Sequence, residues 1–373
     1  MDLSTEKPAV PAAKRLLSLD ALRGFVMFWI VGGGAILRGL GKAVDNAWFN
    51  RHIVPQLRHV PWEGFTAWDL IMPLFIFVVG VAMPFSFAKR LDFGQNRARI
   101  YLHVIFRVLV LWVLGMIAQG RLLEYNLSQM RFYSNTLQAI AAGYLISSLL
   151  ILNLRLTGQI AVTVALLLAY WGLLMLVPVP GYGAGQLTEQ GNLAIYIDKL
   201  ILGPYQDGTT YTWILSSMTF ATTVMIGALA GQLLHSDLNK LKQVLILAGA
   251  GAACVLAGWA WGLVFPIIKH IWTSSMVLYA AGWSLLLLAL FYLVIDVLRL
   301  RPLAFPFAVI GVNAIAAYMA AQLYDFKYFS DPFLRGLAPY TDNWQDFIRA
   351  TGGVLVLWLI LLFLHRKKIY IKI

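Results

Sequence analysis

Five residues with chemical potential crowd into one stretch, LRHVPWEGFTAWDLIMPLFIFVVG: His59, Trp62, Glu63, Trp68 and Asp69. An imidazole with two carboxylates inside about ten residues can do general acid–base work, because His accepts a proton near neutral pH and a carboxylate can fix its tautomer. The two tryptophans have an ordinary reading as an interfacial belt and a functional one as platforms for a sugar ring. Asp20 and Arg23 stand three apart in RLLSLDALRGF. They share a helical face and can neutralise each other. Arg107 lies in the middle of YLHVIFRVLVLWVLG. An ionisable group in lipid costs roughly 2.5–3.5 kcal/mol, so each needs a partner or a function. The planar donors of a guanidinium suit phosphate, which makes Arg23 and Arg107 candidates for holding an anionic group.

The remaining histidines carry less. His235 and His365 fall at segment ends and read as interfacial caps, His103 as a core or interfacial residue, and His52 as surface. His270, beside Lys269, is open between roles. The lone Cys254 excludes an intrachain disulfide and argues against a thiol nucleophile or a metal cluster.

The element that must position these groups is a membrane-embedded helix bundle. Of 373 residues 60% are apolar and only 12% charged, and the mean hydropathy is +0.74. A water-soluble core cannot absorb that excess. Runs of about 20 apolar residues, enough to cross a hydrocarbon layer of about 30 Å, recur ten times. They lie near 16–38, 66–88, 98–120, 133–153, 157–178, 211–234, 243–264, 273–296, 303–325 and 346–365. The expected fold is all-α, a polytopic transmembrane bundle of about ten spans. It comprises a cytoplasmic tail, 1–14, and one transmembrane domain, 15–373.

The net charge of +12 does not point to nucleic acid, because the basic residues cluster at segment ends. With the N-terminus inside, the inner segments carry an excess of about ten positive charges and the outer ones about none. Both termini are therefore expected in the cytoplasm. Three connections, 39–65, 179–210 and 326–345, face outward in that arrangement and offer room for a polar substrate. Charges inside RLLSLDALRGF predict that the first span is retained and not cleaved as a signal.

LLSLDALRG followed by HVPWEGFTAWDLIMPLFIFVVG closely resembles the transmembrane heparan-α-glucosaminide N-acetyltransferase family. The resemblance continues in order through TLQAIAAGYLI, IDKLILG, IIKHIWTSSMVLYAAGWS and GVNAIAAYM, and so covers most of the chain from Arg15 onward. It implies acetyl transfer from cytoplasmic acetyl-CoA, as co-substrate, across the bilayer to the amine of a terminal glucosamine. It implies that His59 is the essential base and that Asp69 belongs to the same motif. Asn313, Lys269 and Trp272 fall on further motif positions, expected to bind substrate together with Trp62, Glu63 and Trp68. A homodimer is implied as well, and no metal. Two positions depart from the lysosomal members, which carry Asn near the outer end of the first span, where this chain reads VGGGAIL, and Asn in place of Glu63.

The expected location is a bacterial inner membrane, because no eukaryotic-style signal or long N-terminal domain precedes the first span. The competing readings are a secondary transporter of amino sugars and an O-acyltransferase acting on an envelope polysaccharide. Carriers show broken helices at matching places in two halves, whereas here polar residues crowd around one motif.

Overall fold

The computed structural model describes residues 16–371. The expected tail, 1–14, and the charges on Arg15 and Lys372 lie outside the described residues. The chain runs through α1 (Leu17–Phe28), α2 (Gly34–Val44), α3 (Ala47–His52), α4 (Ile71–Asp92), α5 (Arg97–Ala118), α6 (Thr136–Asn153), α7 (Leu156–Leu176) and α8 (Leu193–Leu202). It continues through α9 (Ser217–His235), α10 (Lys240–Gly262), α11 (Ser274–Tyr292), α12 (Arg301–Val312), α13 (Ala314–Leu323), α14 (Lys327–Leu334) and α15 (Gln345–Arg366). Among the described residues no strand forms, and only two isolated bridges occur, Glu63 with Ile268 and Val179 with Gly183.

Among the described residues nine helical segments are long and apolar enough to cross a membrane, and α12 with α13, bent by 64°, supplies a tenth if the pair is one span. The all-α bundle expected from the sequence is therefore the observed fold. α4 and α9 are the most enclosed segments, while α5, α10 and α15 turn apolar side chains such as Leu102, Phe106, Leu245 and Leu359 outward. Such a surface suits lipid, where backbone polar groups must be satisfied inside each helix.

Bare backbone at two crossings sets how closely the core helices approach. A Cβ on Gly24 would lie 1.7 Å from the Phe307 carbonyl, and one on Gly311 would lie 1.8 Å from that of Asp20, so α1 and α12 touch main chain to main chain. α4 and α9 do the same through Gly80 and Gly227. The first crossing fixes the helix that bears Asp20 and Arg23.

Some boundaries differ from expectation. The first span does not stop near 38 but continues through a break at Gly32 to Val44. Residues 211–216 do not belong to the span that follows them; they fold over α8, and the Trp213 and Ile214 amides donate to the buried Asp198 carboxylate at 2.7 and 2.9 Å. The long 179–210 connection contains α8, started by Asn192, whose side chain accepts from the Ile195 amide. Leu16 and Ile371, the ends of the described chain, line one cavity and so lie at the same end of the bundle.

Candidate active site

Asp69 sits in a single helical turn, Ala67–Leu70, that opens α4. The sequence TAWD makes that turn a capping box. The Thr66 amide donates to Asp69 Oδ2 at 3.1 Å, and the Thr66 hydroxyl lies 2.9 Å from the same oxygen. The Val60 amide adds a contact to Oδ2 at 3.3 Å. The other oxygen, Oδ1, stands 2.6 Å from His59 Nδ1 and 3.4 Å from Lys269 Nζ. Asp69 is 1% exposed and Lys269 3%, whereas the His59 ring is 43% exposed. The local sequence thus builds a buried anion whose remaining partner is the one ring with access to open space.

Lys269 is 200 residues away in the chain and arrives by a staple between two loops. The Gly64 amide donates to the Ile267 carbonyl at 2.9 Å, next to the Glu63–Ile268 bridge. Beyond it the turn closes on the Thr273 hydroxyl, which accepts from the Ile268 amide and donates to the Pro266 carbonyl at 2.9 Å. Trp272 takes a left-handed φ of 49° to complete the turn. Burial lowers the Lys269 pKa to about 8, with Asp69 opposing that shift. Burial, with the Lys269 charge beside it, lowers His270 to about 4, so His270 is a neutral ring; it stacks on Tyr211 at 4.2 Å, and its Nδ1 is 2.5 Å from the Thr210 hydroxyl.

Nδ1 of His59 can hold one proton. At 2.6 Å from a carboxylate we assign it there, which leaves Nε2 with a free lone pair. The ring borders a cavity of about 540 Å³ whose wall includes Trp68, Tyr211, Trp213, Tyr318, Arg121 and Arg131. An imidazole held this way by a buried carboxylate can accept a proton from a nucleophile in that cavity.

A second cavity, of about 430 Å³, opens at the other end of the same helices. Arg23, Lys89 and Arg107 line it beside Asp20 and Ser86. Arg23 Nη1 lies 3.6 Å from Asp20, the i, i+3 pairing expected from the sequence. The Arg107 guanidinium lies over the Tyr144 ring at 4.6 Å, and among the described residues its buried Nε has no hydrogen-bond partner. The two cavities run along shared elements: Ile71 and Met72 border the first while Phe75 and Val79 border the second; Thr136 and Leu137 divide likewise, as do Tyr318 and Ile315. Phe75 and Tyr318, with ring centres 6.4 Å apart, and the Asn135–Tyr318 hydrogen bond stand between them.

The structure brings His59, Asp69, Trp68 and Lys269 together, and Arg23 with Arg107 at the second cavity. It does not bring the other residues predicted from the sequence to bind substrate to His59. Trp62 packs edge-on to His270, and its indole donates to the Leu187 carbonyl at 2.9 Å, fastening the long connection. Glu63 is exposed and meets Ile268 through its main chain. Trp272 is buried against Phe220, with its indole 3.3 Å from the Thr223 hydroxyl. Asn313 lies at the α12–α13 bend, on the side of the second cavity, where it donates to the Ile369 carbonyl and accepts from the Ile371 amide. Sequence reasoning missed Tyr211, Arg121 and Arg131 on the His59 cavity, and it took Lys89 only as a membrane-flanking charge. Nothing local marks the first three; they are ordinary loop residues until the fold assembles.

No family model matches the chain. Over 96% of its length it is 25% identical to the heparan-alpha-glucosaminide N-acetyltransferase of Homo sapiens, and over 97% it is 23% identical to that of Mus musculus. The chain spans about 60% of the length of these curated relatives. With nearly the whole of its length aligned, the chain is similar to these heparan-alpha-glucosaminide N-acetyltransferases.

Proposed function

We propose that this protein is a membrane-embedded N-acetyltransferase that moves the acetyl group of acetyl-CoA onto the amine of glucosamine or of a glucosamine-terminated glycan. The observation that carries this reading is a His59–Asp69–Lys269 cluster on one cavity, separated by a thin partition from a second cavity lined by Arg23, Lys89 and Arg107. In this reading CoA enters the second cavity, where guanidinium and ammonium groups meet its phosphates. The acceptor occupies the His59 cavity. The amine nitrogen attacks the thioester carbonyl carbon while His59 Nε2 takes its N–H proton; the carbon–sulfur bond then breaks, and the proton is returned to the departing thiolate. The Asp69 carboxylate holds the imidazole in the tautomer that permits this and stabilises the charge it gains.

Sidedness follows from the charge excess: the Arg107 end faces the cytoplasm and the His59 end the far side, a bacterial periplasm in our reading. The resemblance alone adds a homodimer. Purified protein given acetyl-CoA and glucosamine should form N-acetylglucosamine and free thiol in equal amounts, and failure to do so with folded protein would sink the proposal. In a Cys254-free background, cysteines at positions 90 and 59 should react from opposite sides of a sealed membrane. The 64° break between α12 and α13 favours the carrier reading. Glucosamine uptake into vesicles without acetyl-CoA would support it against the transferase.

A further inference from the structure

The stretches TLQAIAAGYLI, which opens α6, and GVNAIAAYM, which carries Tyr318 on α13, meet at the partition between the two cavities. Asn135 caps α6, and its Oδ1 accepts from the Leu137 amide at 2.7 Å. That bond fixes which way the carboxamide points. Nδ2 therefore faces Tyr318 and donates to the phenol oxygen at 3.0 Å. Gln138 braces the same turn, accepting from the Ser134 amide at 2.9 Å and donating to the Phe132 carbonyl at 2.6 Å. The Thr136 side chain lies beside the same phenol and borders the His59 cavity. The return bond, from the phenol to Asn135 Oδ1, spans 3.3 Å, because that oxygen already serves Leu137. The Tyr318 oxygen is thus firmly held, while its proton is held weakly.

Ser134, one residue before the cap, borders the His59 cavity as Tyr318 does. Its hydroxyl is buried and has no hydrogen-bond partner among the described residues. Leaving a buried hydroxyl unpaired costs about 1–3 kcal/mol, so the group calls for a ligand atom. Other donors on that wall are committed: the Trp213 indole donates to Asp207 at 2.9 Å, Arg131 to the Gln206 carbonyl, and Lys269 stands beside Asp69. The proposed transfer needs donors of this kind. When the amine attacks, the carbonyl π electrons move onto oxygen, and His59 takes only the amine's proton.

Resting on the acetyl-CoA reading above, we propose that the Tyr318 and Ser134 hydroxyls form the oxyanion site for the thioester carbonyl. A thioester that reaches His59 from the Arg107 cavity must pass this partition, where its oxygen meets both groups. Each hydroxyl keeps its proton throughout. As the nitrogen–carbon bond forms, the C=O electron pair shifts to oxygen and both hydrogen bonds strengthen. As the carbon–sulfur bond breaks, the pair returns to C=O, and the departing thiolate takes the proton from His59. Bonds that strengthen only as charge develops lower the barrier more than they tighten donor binding. Asn135 is a positioning residue: by donating to the phenol oxygen it leaves the Tyr318 proton for the substrate.

Two variants of the full chain test the site. Tyr318→Phe keeps the ring against Phe75 and removes one donor; it should lower kcat by about 10²-fold and leave the KM for acetyl-CoA within about threefold. Ser134→Ala removes a hydroxyl that has no partner in the protein, so it should lower kcat by about tenfold without loss of thermal stability. If wild type acetylates glucosamine and either folded variant keeps its kcat within about twofold, the oxyanion site is overturned and the transferase reading stands. Infrared spectra of carbonyl-labelled acetyl-CoA bound to detergent-solubilised protein read the contact without turnover. A hydrogen bond weakens C=O, so the carbonyl band should lie at lower frequency in wild type than in Tyr318→Phe or Ser134→Ala. That displacement, in protein that acetylates nothing, upholds the contact and sinks the transferase reading alone. Should Tyr318→Phe fail to fold, Ser134→Ala decides both the rate and the spectrum. The same band position in wild type and the folded variants overturns the proposal.

Discussion

The His59 cavity and the Arg107 cavity lie along the same helices, yet their charges are arranged in opposite ways. At His59 a buried carboxylate is met by four nitrogen donors and a nearby hydroxyl, so its geometry is fixed before any ligand arrives. At Arg107 a half-buried guanidinium rests on an aromatic ring, with its Nε unmatched among the described residues. The first arrangement is complete and presents one free lone pair; the second is incomplete and calls for acceptor oxygens from elsewhere. Groups that act in a transition state gain from being held rigidly, whereas groups that bind gain from leaving their donors open. In the proposed reading this contrast corresponds to reaction at one cavity and donor binding at the other.

The strongest way to break that comparison is His59→Ala. A base acting only in the transition state should cost at least about 10²-fold in kcat when removed, with acetyl-CoA binding largely kept. A folded variant with more than about a tenth of the wild-type rate would take His59 out of the chemistry.

Arg107→Ala probes the other end. It should raise the KM for acetyl-CoA by about tenfold and change kcat little, because the lost contact is made equally in the ground and transition states. A matching rise in the acceptor KM would mean that the two cavities do not divide the substrates.

Lys269 sharpens the comparison through pH. Its folded-state pKa, lowered by burial to about 8, lies below the ordinary value of 10.5. Below pH 8 the ammonium sits beside Asp69; above it the neutral amine, 3.1 Å from His59 Nδ1, can compete with Asp69 for the imidazole proton. Activity should therefore fall by a few-fold as pH rises through about 8, and Lys269→Met should flatten that limb. Stability runs the other way: between pH 8 and 10.5 the unfolded chain holds a proton that the folded one has released, so this group favours folding more as pH rises. A rate profile unchanged by the substitution would make Lys269 purely structural.

Trp62→Phe carries the smallest expectation. Losing the indole bond to the Leu187 carbonyl should cost about 1 kcal/mol in stability and change kcat/KM less than about threefold. A rise in the acceptor KM of about tenfold or more would return Trp62 to the sugar site that its sequence position suggested.

Much of this architecture was legible in the sequence because lipid is an exacting solvent. The ten apolar runs had to be helices, and the length of each run follows from the thickness it must cross. The i, i+3 pairing of Asp20 with Arg23 is local, so spacing alone located it, and Asp69 stood out within the polar stretch 59–69. His59 lies on the same short segment and could be marked beside Asp69 for that reason. The resemblance to a known family, and not any spacing, singled out Lys269.

What the sequence could not decide is which distant surfaces meet. Trp62, Glu63 and Asp69 are near neighbours in the chain, yet only Asp69 reaches His59, because the turn into α4 directs its side chain inward while Trp62 and Glu63 serve the staple to the 266–273 loop. The family resemblance marked Asn313 as a substrate-binding residue. Its amide instead satisfies the backbone of Ile369 and Ile371, a need that arises only once the chain end folds back against the α12–α13 bend. Composition and period thus specify how each helix sits in the bilayer. Whether a buried polar side chain serves a substrate or the protein's own backbone depends on contacts across hundreds of residues, and only the packed bundle makes them.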